Sequence, residues 1–306
     1  MSTTVQPTIY TTIESYRKFR ATIPTTQSIG FVPTMGALHN GHLDLVKYSN
    51  RISDITVVSI YVNPTQFAAN EDLSKYPSTL QSDINQLSQN NVSHIFIPNN
   101  DTMYPNTDPY GNTVQHDTWI TNERANQYGE GATRPTHFRG VLTVVLKLFH
   151  IIQPHYCIFG QKDGLQCIVI KKMIHDLNIP ITMHIVPTHR ASDGLALSSR
   201  NVYLTKSQRS IAPILYRSLV AVQHEYYDNK QLNKQILYNT VYNILSGESS
   251  GALDYINISY SNNGNPVTDD TLSATDEYMV AIAYRLGTTR LIDNCILSPH
   301  SDKHRI

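Results

Sequence analysis

The chain has 306 residues, with 24 Lys and Arg balanced by 24 Asp and Glu, so its formal net charge is zero. That length supports one large or two ordinary domains. A neutral chain lacks the basic excess of a nucleic-acid footprint, so no nucleic-acid partner is expected. Three cysteines without a CxxC spacing read as buried free thiols of a reducing compartment. The N-terminus has no apolar core of a secretory signal, and no run approaches the roughly 18 apolar residues of a membrane helix. The expectation is therefore a cytoplasmic protein with no membrane partner.

Elements alternate through the first two-thirds of the chain. Residues 11–21 read as a helix and 28–33 as a strand. Residues 41–52 carry Leu43, Leu45, Val46 and Ile52 at helical spacing. Residues 55–62, ITVVSIYV, form a continuous β-branched run that suits a strand buried on both faces. A helix over 80–89, capped by Ser78 or Thr79, and a strand over 93–98 follow. Residues 99–137 are rich in Asn, Thr, Asp, Gly and Pro and predict an irregular, partly strand-containing excursion. Then come a helix over 141–152, a strand over 156–159, a helix over 164–176 and a strand over 181–186. This alternation implies an α/β fold, a Rossmann-like doubly wound parallel sheet, with ligands beyond the C-terminal strand ends.

The pattern changes near residue 188. Two helices, 206–228 and 231–246, precede two strands, 254–260 and 277–284. The division read from the chain is a Rossmann-like domain over 1–188 and a smaller C-terminal α+β lid domain over 189–306.

The densest chemistry lies in residues 31–45, FVPTMGALHNGHLDL. A strand ends in a small-residue turn, and a helix begins near Asn40-Gly41 with His39 and His42 at the junction. A helix N-terminus has unpaired N–H groups and a partial positive charge, which suits a phosphate. Two imidazoles three residues apart share one face of the first turn. Two surface histidines remain the alternative. Zinc is a third reading, although no HExxH glutamate or neighbouring cysteine completes a metal set, and no protein-held metal is expected.

Three further motifs sit at strand ends or in loops. Val62-Asn63-Pro64-Thr65-Gln66-Phe67 offers neutral amide donors and acceptors for a small polar substrate; a plain turn is the alternative. Phe159-Gly160-Gln161-Lys162-Asp163 places a glycine for close backbone approach, a lysine point charge for phosphate, and an aspartate that caps a helix or meets ribose. Asp193–Asn201, DGLALSSRN, sets two hydroxyls beside an arginine; alone it also reads as a polar interdomain turn.

Taken in order, PTMGALHxGH, VNPTQF, HFRGV, FGxKD and DGLALSSRN resemble the pantoate–β-alanine ligase (pantothenate synthetase) family. Asn70–Leu73 with Tyr76-Pro77, and Leu146–Phe149, extend the likeness, which covers about residues 28–205 and continues more loosely beyond. The resemblance implies an HxGH-type ligase that joins (R)-pantoate to β-alanine through pantoyl adenylate, with Mg²⁺ accompanying ATP, and a homodimer. It places ATP on Met35, Gly36, Ala37, Leu38, His39, Asn40, Gly41 and His42. It adds Gly160, Gln161, Lys162, Asp163, His189, Leu197, Ser198, Ser199 and Arg200 to the same set. It makes His42, His39, Lys162 and Arg200 the catalytic groups. It assigns Gln66 and Gln166 to pantoate, and places Asn63, Tyr76, Glu130 and Arg134 beside pantoate or β-alanine.

Some residues depart from the family pattern. The usual KDxQQ is Lys162-Asp163-Gly164-Leu165-Gln166, so one glutamine is lost and Gly164 is expected to loosen the helix start. His189 stands where an aliphatic residue is common. Three rivals remain. A nucleotidylyltransferase shares the HxGH turn, but neutral amides suit pantoate hydroxyls better than a phosphate. A catalytically dead scaffold would be expected to have lost Lys162 or a histidine. A tRNA synthetase would carry a larger chain and a basic surface.

Overall fold

The computed structural model describes residues 6–68, 71–106 and 115–299; Asn70 and the terminal residues read above for targeting signals lie outside them. Contacts divide the chain into two compact units. The first comprises the chain through Asn122, Thr136–Phe159 and Met173–Val186; the second comprises Glu123–Pro135, Gly160–Lys172 and the chain from Pro187 on. The final crossing falls beside residue 188, but two earlier segments also group with the second unit.

The first unit is built on six strands: β1 (Thr8–Tyr10), β2 (Ile29–Thr34), β3 (Ile55–Ile60), β4 (His94–Phe96), β5 (Tyr156–Gly160) and β6 (Thr182–Val186). Their order is β1-β4-β3-β2-β5-β6, and β1–β4, β4–β3, β3–β2 and β2–β5 all pair in parallel. Successive residues of a strand face opposite sides, and β2 shows both sides covered. Phe31 meets Phe149 of helix α6 (His137–Ile152) edge-on at 6.5 Å. Val32 instead joins Leu45 and Val46 of α2 (Asn40–Ile52) and Leu87 of α3 (Leu80–Gln89) in one buried cluster. Helix α1 (Ile13–Arg20) opens with a reciprocal cap between Thr12 and Ser15, and its buried Tyr16 hydroxyl donates to the Ile152 carbonyl. This is the doubly wound α/β sheet that the alternation implies.

Register fixes what lies at the sheet's C-terminal edge. Thr34, the last residue of β2, pairs with Ile60, the last of β3. The HxGH turn and the VNPTQF segment therefore leave adjacent strands side by side.

The second unit contains a short α5 (Gly129–Thr133), most of α7 (Gly164–Asp176), α8 (Lys206–Ile211), α9 (Ile214–Tyr227) and α10 (Lys234–Ser246). It ends in an antiparallel sheet, β7 (Gly251–Tyr260), β8 (Tyr278–Leu286) and β9 (Thr289–Leu297), in that order. Its core packs Leu215, Leu219, Leu237 and Val241 against Val280 and Ile282.

Three expectations are corrected. The helix over 206–228 breaks at Ala212-Pro213, because a proline supplies no N–H to a continuing helix. The excursion over 99–137 holds no strand among the described residues. It contains α4 (Asn100–Met103), a 3₁₀ turn at Ala125–Gln127 and α5. The C-terminal sheet has three strands, not two. The unread β9 follows a tight turn at Gly287, whose φ is +58°, and its run is interrupted by Arg290, Asp293 and Asn294. No helix among the described residues is long and apolar enough to cross a membrane.

Candidate active site

After β2 the chain makes a left-handed pair, Gly36 at φ +79° and Ala37 at φ +50°. For alanine that conformation costs about 1–2 kcal/mol. Asp83, on α3 and 1% exposed, holds it. Its Oδ2 accepts from Ala37 N at 2.9 Å, and its Oδ1 accepts from Leu38 N at 2.9 Å and Thr79 Oγ1 at 3.0 Å. Thr79 thus caps α3 only by position; its hydroxyl is spent on Asp83.

His39 is the N-cap of α2, and the cap is made of two imidazoles. Gly41 N donates to His39 Nδ1 at 3.2 Å, and His39 N donates to His42 Nδ1 at 3.3 Å. The ring centroids lie 4.1 Å apart. A ring nitrogen that accepts a hydrogen bond carries no hydrogen there, so in each neutral ring the hydrogen sits on Nε2. This changes how the turn can meet a phosphate. The Ala37, Leu38, His39, Gly41 and His42 amides all donate within the protein. A phosphate at this junction would therefore meet imidazole Nε2–H groups rather than the backbone of a bare helix end.

Beside this turn lies the segment that leaves β3. Asn63 and Gln66 are both buried. Asn63 Nδ2 donates to Gln66 Oε1 at 3.1 Å, and Gln66 Nε2 donates to Met35 Sδ at 3.1 Å. The neutral amide and the HxGH turn are therefore in direct contact. The Gln66 carbonyl is held by His137 Nδ1 at 3.0 Å. Asn63 is committed within the protein through both ends of its amide, so it supports Gln66. Tyr76 is half-buried, edge-on to Phe67 at 5.9 Å.

In the second unit, β5 runs on into a 3₁₀ turn over Gln161–Asp163. Lys162 Nζ lies 3.7 Å from Asp163 Oδ1, and Asp163 is the more exposed of the two. Asn294 of β9 pins the turn. Its Nδ2 donates to the carbonyls of Gln161 (2.8 Å) and Lys162 (3.0 Å), while Oδ1 accepts from Gln161 Nε2 at 2.7 Å. Gly164 opens α7 where a Cβ would meet Met279 Sδ at 2.7 Å and the Asn294 amide at 3.0 Å. The glycine fits the helix start against the sheet, which accounts for this departure from KDxQQ. Leu165 packs with Ile168, Met279 and Ala281, so an apolar contact replaces the missing glutamine. Gln166 is half-buried one residue further on.

The DGLALSSR segment is held from the neighbouring strand position. Asp293 forms a two-pronged pair with Arg190, at 2.6 and 2.9 Å, and Arg190 also donates to the Gly194 carbonyl at 3.0 Å. The Leu197 N–H donates to the His189 carbonyl at 2.9 Å, which closes the loop. Ser198 caps the 3₁₀ turn Ser199–Tyr203 by accepting from Arg200 N at 3.3 Å. Ser198, Ser199 and Arg200 are half-buried.

Glu130 and Arg134 belong to a buried ion cluster of this unit. Glu130 Oε1 accepts from Arg134 at 3.0 Å and Arg290 at 2.9 Å; Oε2 accepts from Arg290 at 2.9 Å and the Tyr255 hydroxyl at 3.1 Å. Arg290 also donates to Asp254 at 2.7 Å. Burial opposes the Arg290 charge, but the two carboxylates outweigh it and raise its pKa. The cluster fastens α5 to the sheet.

A family model described as pantoate–β-alanine ligase matches residues 8–296. The chain belongs to the pantoate–β-alanine ligase family. A pantothenate synthetase of Chloroflexus aurantiacus is 42% identical over 288 residues, covering 94% of this chain and 96% of the relative. One from Koribacter versatilis is 43% identical, covering 89% of each. The crystal structure of the Thermus thermophilus pantothenate synthetase matches with a TM-score of 0.83 at 36% identity, over 94% of this chain and 98% of that one. A pantoate–β-alanine ligase from Francisella tularensis, solved with β-γ ATP and β-alanine, matches with a TM-score of 0.74 at 35% identity, over 96% and 99%.

The motif segments are held by residues that lie outside them. Asp83, Tyr104, Asp293 and Asn294 lie outside every motif quoted. Only Asp83 left a trace, as a carboxylate in an otherwise uncharged helix, LQSDINQLSQ. Among the described residues no group of three or more His, Cys, Asp or Glu could hold a metal ion. All three cysteines are free and buried, and burial raises the Cys157 and Cys295 thiols well above their usual range.

Proposed function

We propose that this chain condenses (R)-pantoate with β-alanine at the expense of ATP. In the first step a pantoate carboxylate oxygen attacks the α-phosphorus; the bond to the β-phosphate oxygen breaks and pyrophosphate leaves. In the second, the β-alanine amine attacks the acyl carbon of pantoyl adenylate; the bond to AMP breaks and the amine loses a proton. The observation that carries this reading is the contact between Gln66 and Met35. It sets a neutral amide, suited to the oxygens of a hydroxy acid, against a turn that offers two imidazole donors.

His39 and His42 stabilise charge on the departing phosphates through Nε2–H. Lys162 neutralises phosphate as a point charge, and Ser198, Ser199 and Arg200 add donors with the arginine's fork. Gln66 and Gln166 hold pantoate, with Tyr76 nearby; Arg134 and Glu130 act by keeping α5 in place. Joining the two sets of groups in one reaction rests on the order of motifs along the chain. Mg²⁺ would travel on the triphosphate and neutralise its charge, with Asp163 the carboxylate suited to a water on it. A homodimer and a cytoplasmic location complete the reading, supported by the resemblance and by three buried reduced thiols.

The test is pantoate-dependent exchange of label between pyrophosphate and ATP without β-alanine. Exchange that requires pantoate supports the adenylate. Exchange without pantoate, or AMP formation only when β-alanine is present, overturns it.

A further inference from the structure

In the first unit a chain of hydrogen bonds runs from the excursion after β4 to the amide assigned to pantoate. Asn63 is 1% exposed. Its Oδ1 accepts from the Tyr104 hydroxyl at 3.0 Å, Thr65 Oγ1 at 3.0 Å and Thr65 N at 3.4 Å. Its Nδ2 donates to Gln66 Oε1 at 3.1 Å and to the Gly140 carbonyl at 3.2 Å. An amide nitrogen has two hydrogens, and both are used. A flipped Asn63 would set NH₂ against the Thr65 N–H and its oxygen against the Gly140 carbonyl, so one orientation is enforced. Gln66 inherits that polarity. Its oxygen faces Asn63, and its NH₂ faces Met35 Sδ, a weak acceptor that a substrate oxygen would outbid.

Tyr104 is well placed to anchor this chain. Trp119 stacks on it at 6.4 Å, His116 meets it edge-on at 5.0 Å, and Lys147 Nζ lies 5.2 Å from its ring centre. Burial raises its pKa against the opposing Thr65 bond, so the hydroxyl stays a donor through the neutral range.

We propose that Tyr104 is a positioning residue for substrate recognition, which through Asn63 fixes the Gln66 amide with its NH₂ toward the substrate. The site then selects an oxygen acceptor, a carboxylate or hydroxyl, and rejects a donor at that point. The proposal rests on the assignment of Gln66 to pantoate given above.

The test is steady-state kinetics on the full chain with Tyr104→Phe and Asn63→Asp. Tyr104→Phe keeps the ring and its stacking and removes only the hydroxyl. KM for pantoate should rise about five- to tenfold, the scale of one hydrogen bond, with KM for ATP within about twofold. In Asn63→Asp, an oxygen replaces Nδ2 and accepts from Gln66 Nε2, which turns the glutamine round. KM for pantoate should rise further, and inhibition by the amide analogue of pantoate should strengthen relative to pantoate binding. A merely structural role would lower kcat or stability without separating the two KM values or moving that preference. An active wild type whose variants show no change, shift both KM values together or keep the acid-over-amide preference overturns the positioning chain alone. A wild type with no pantoate-dependent exchange removes the ligase reading, and this proposal with it.

Discussion

Replacing Asp83 with asparagine probes how the HxGH turn is held. The carboxylate accepts three hydrogen bonds, two of them from consecutive backbone amides. An asparagine of the same shape has one oxygen. Whichever way its amide lies, an NH₂ group faces the Ala37 or the Leu38 N–H. A buried donor left unpaired costs about 1–3 kcal/mol. The turn also carries Ala37 at φ +50°, which adds a standing cost of about 1–2 kcal/mol that the clamp must hold down. With one bond gone, the turn relaxes and His39 leaves its cap. Pantoate-dependent exchange should fall about tenfold or more, since about 1.4 kcal/mol is a factor of ten, and the urea midpoint should drop. The reasoning makes a second claim. Glycine takes positive φ without penalty, so Ala37→Gly added to Asp83→Asn should recover about 1 kcal/mol and part of the rate. An Asp83→Asn variant with normal exchange and stability would refute the clamp. So would an Ala37→Gly change that deepens the loss.

Other consequences are as direct. His42→Ala removes the proposed phosphate donor and the acceptor for His39 N, and should slow adenylate formation by about 10²–10³ with little effect on ATP affinity; single-turnover kinetics with ATP titrations separates the two. Glu130→Gln leaves Arg134 and Arg290 beside a neutral amide. It should cost about 3–5 kcal/mol, the scale of breaking a buried ion cluster from one side, read by chemical denaturation; a change below about 1 kcal/mol would show that the arginines find other partners. The three thiols should resist Ellman's reagent at pH 8 in the native protein and all react in denaturant. Burial denies the reagent access to all three, and the raised Cys157 and Cys295 thiols also supply little thiolate; prompt reaction of either would contradict their placement.

The doubly wound sheet was legible because its strands are continuous apolar runs and its helices keep a 3.6-residue period. The segments that carry the candidate groups were legible because motifs at strand ends concentrate His, Lys, Gln and Arg in short stretches. What escaped shares a cause. Asp83, Tyr104, Asp293 and Asn294 hold these segments across 41 or more residues of sequence: Tyr104 reaches Asn63 at a separation of 41, and Asp293 reaches Arg190 at 103. A single sequence carries no trace of such pairs. Strand β9 was missed for a related reason. Its polar residues, which break the strand pattern, are the ones that hold neighbouring segments. The break of the 206–228 helix was visible in Pro213 and overlooked because the apolar period resumes on its far side.

The neighbours Asp293 and Asn294 give β9 a role that its place at the end of the chain would not suggest. One side chain fastens the loop that leads to Ser198-Ser199-Arg200; the other fastens the turn that carries Lys162. Pairing between β8 and β9 runs unbroken through nine residues, from Tyr278–Leu297 to Leu286–Thr289. A slip of one residue in a strand sends every side chain to the opposite face. Insertion or deletion of a single residue between Thr289 and Asp293 would thus release both anchored segments at once, although it touches neither. The hairpin works as a gauge: its length, counted from the Gly287 turn, sets where two distant loops are tied. Lengthening the strand beyond Leu297 should be harmless, while lengthening it by one residue before Asp293 should abolish activity in a protein that still folds its helices.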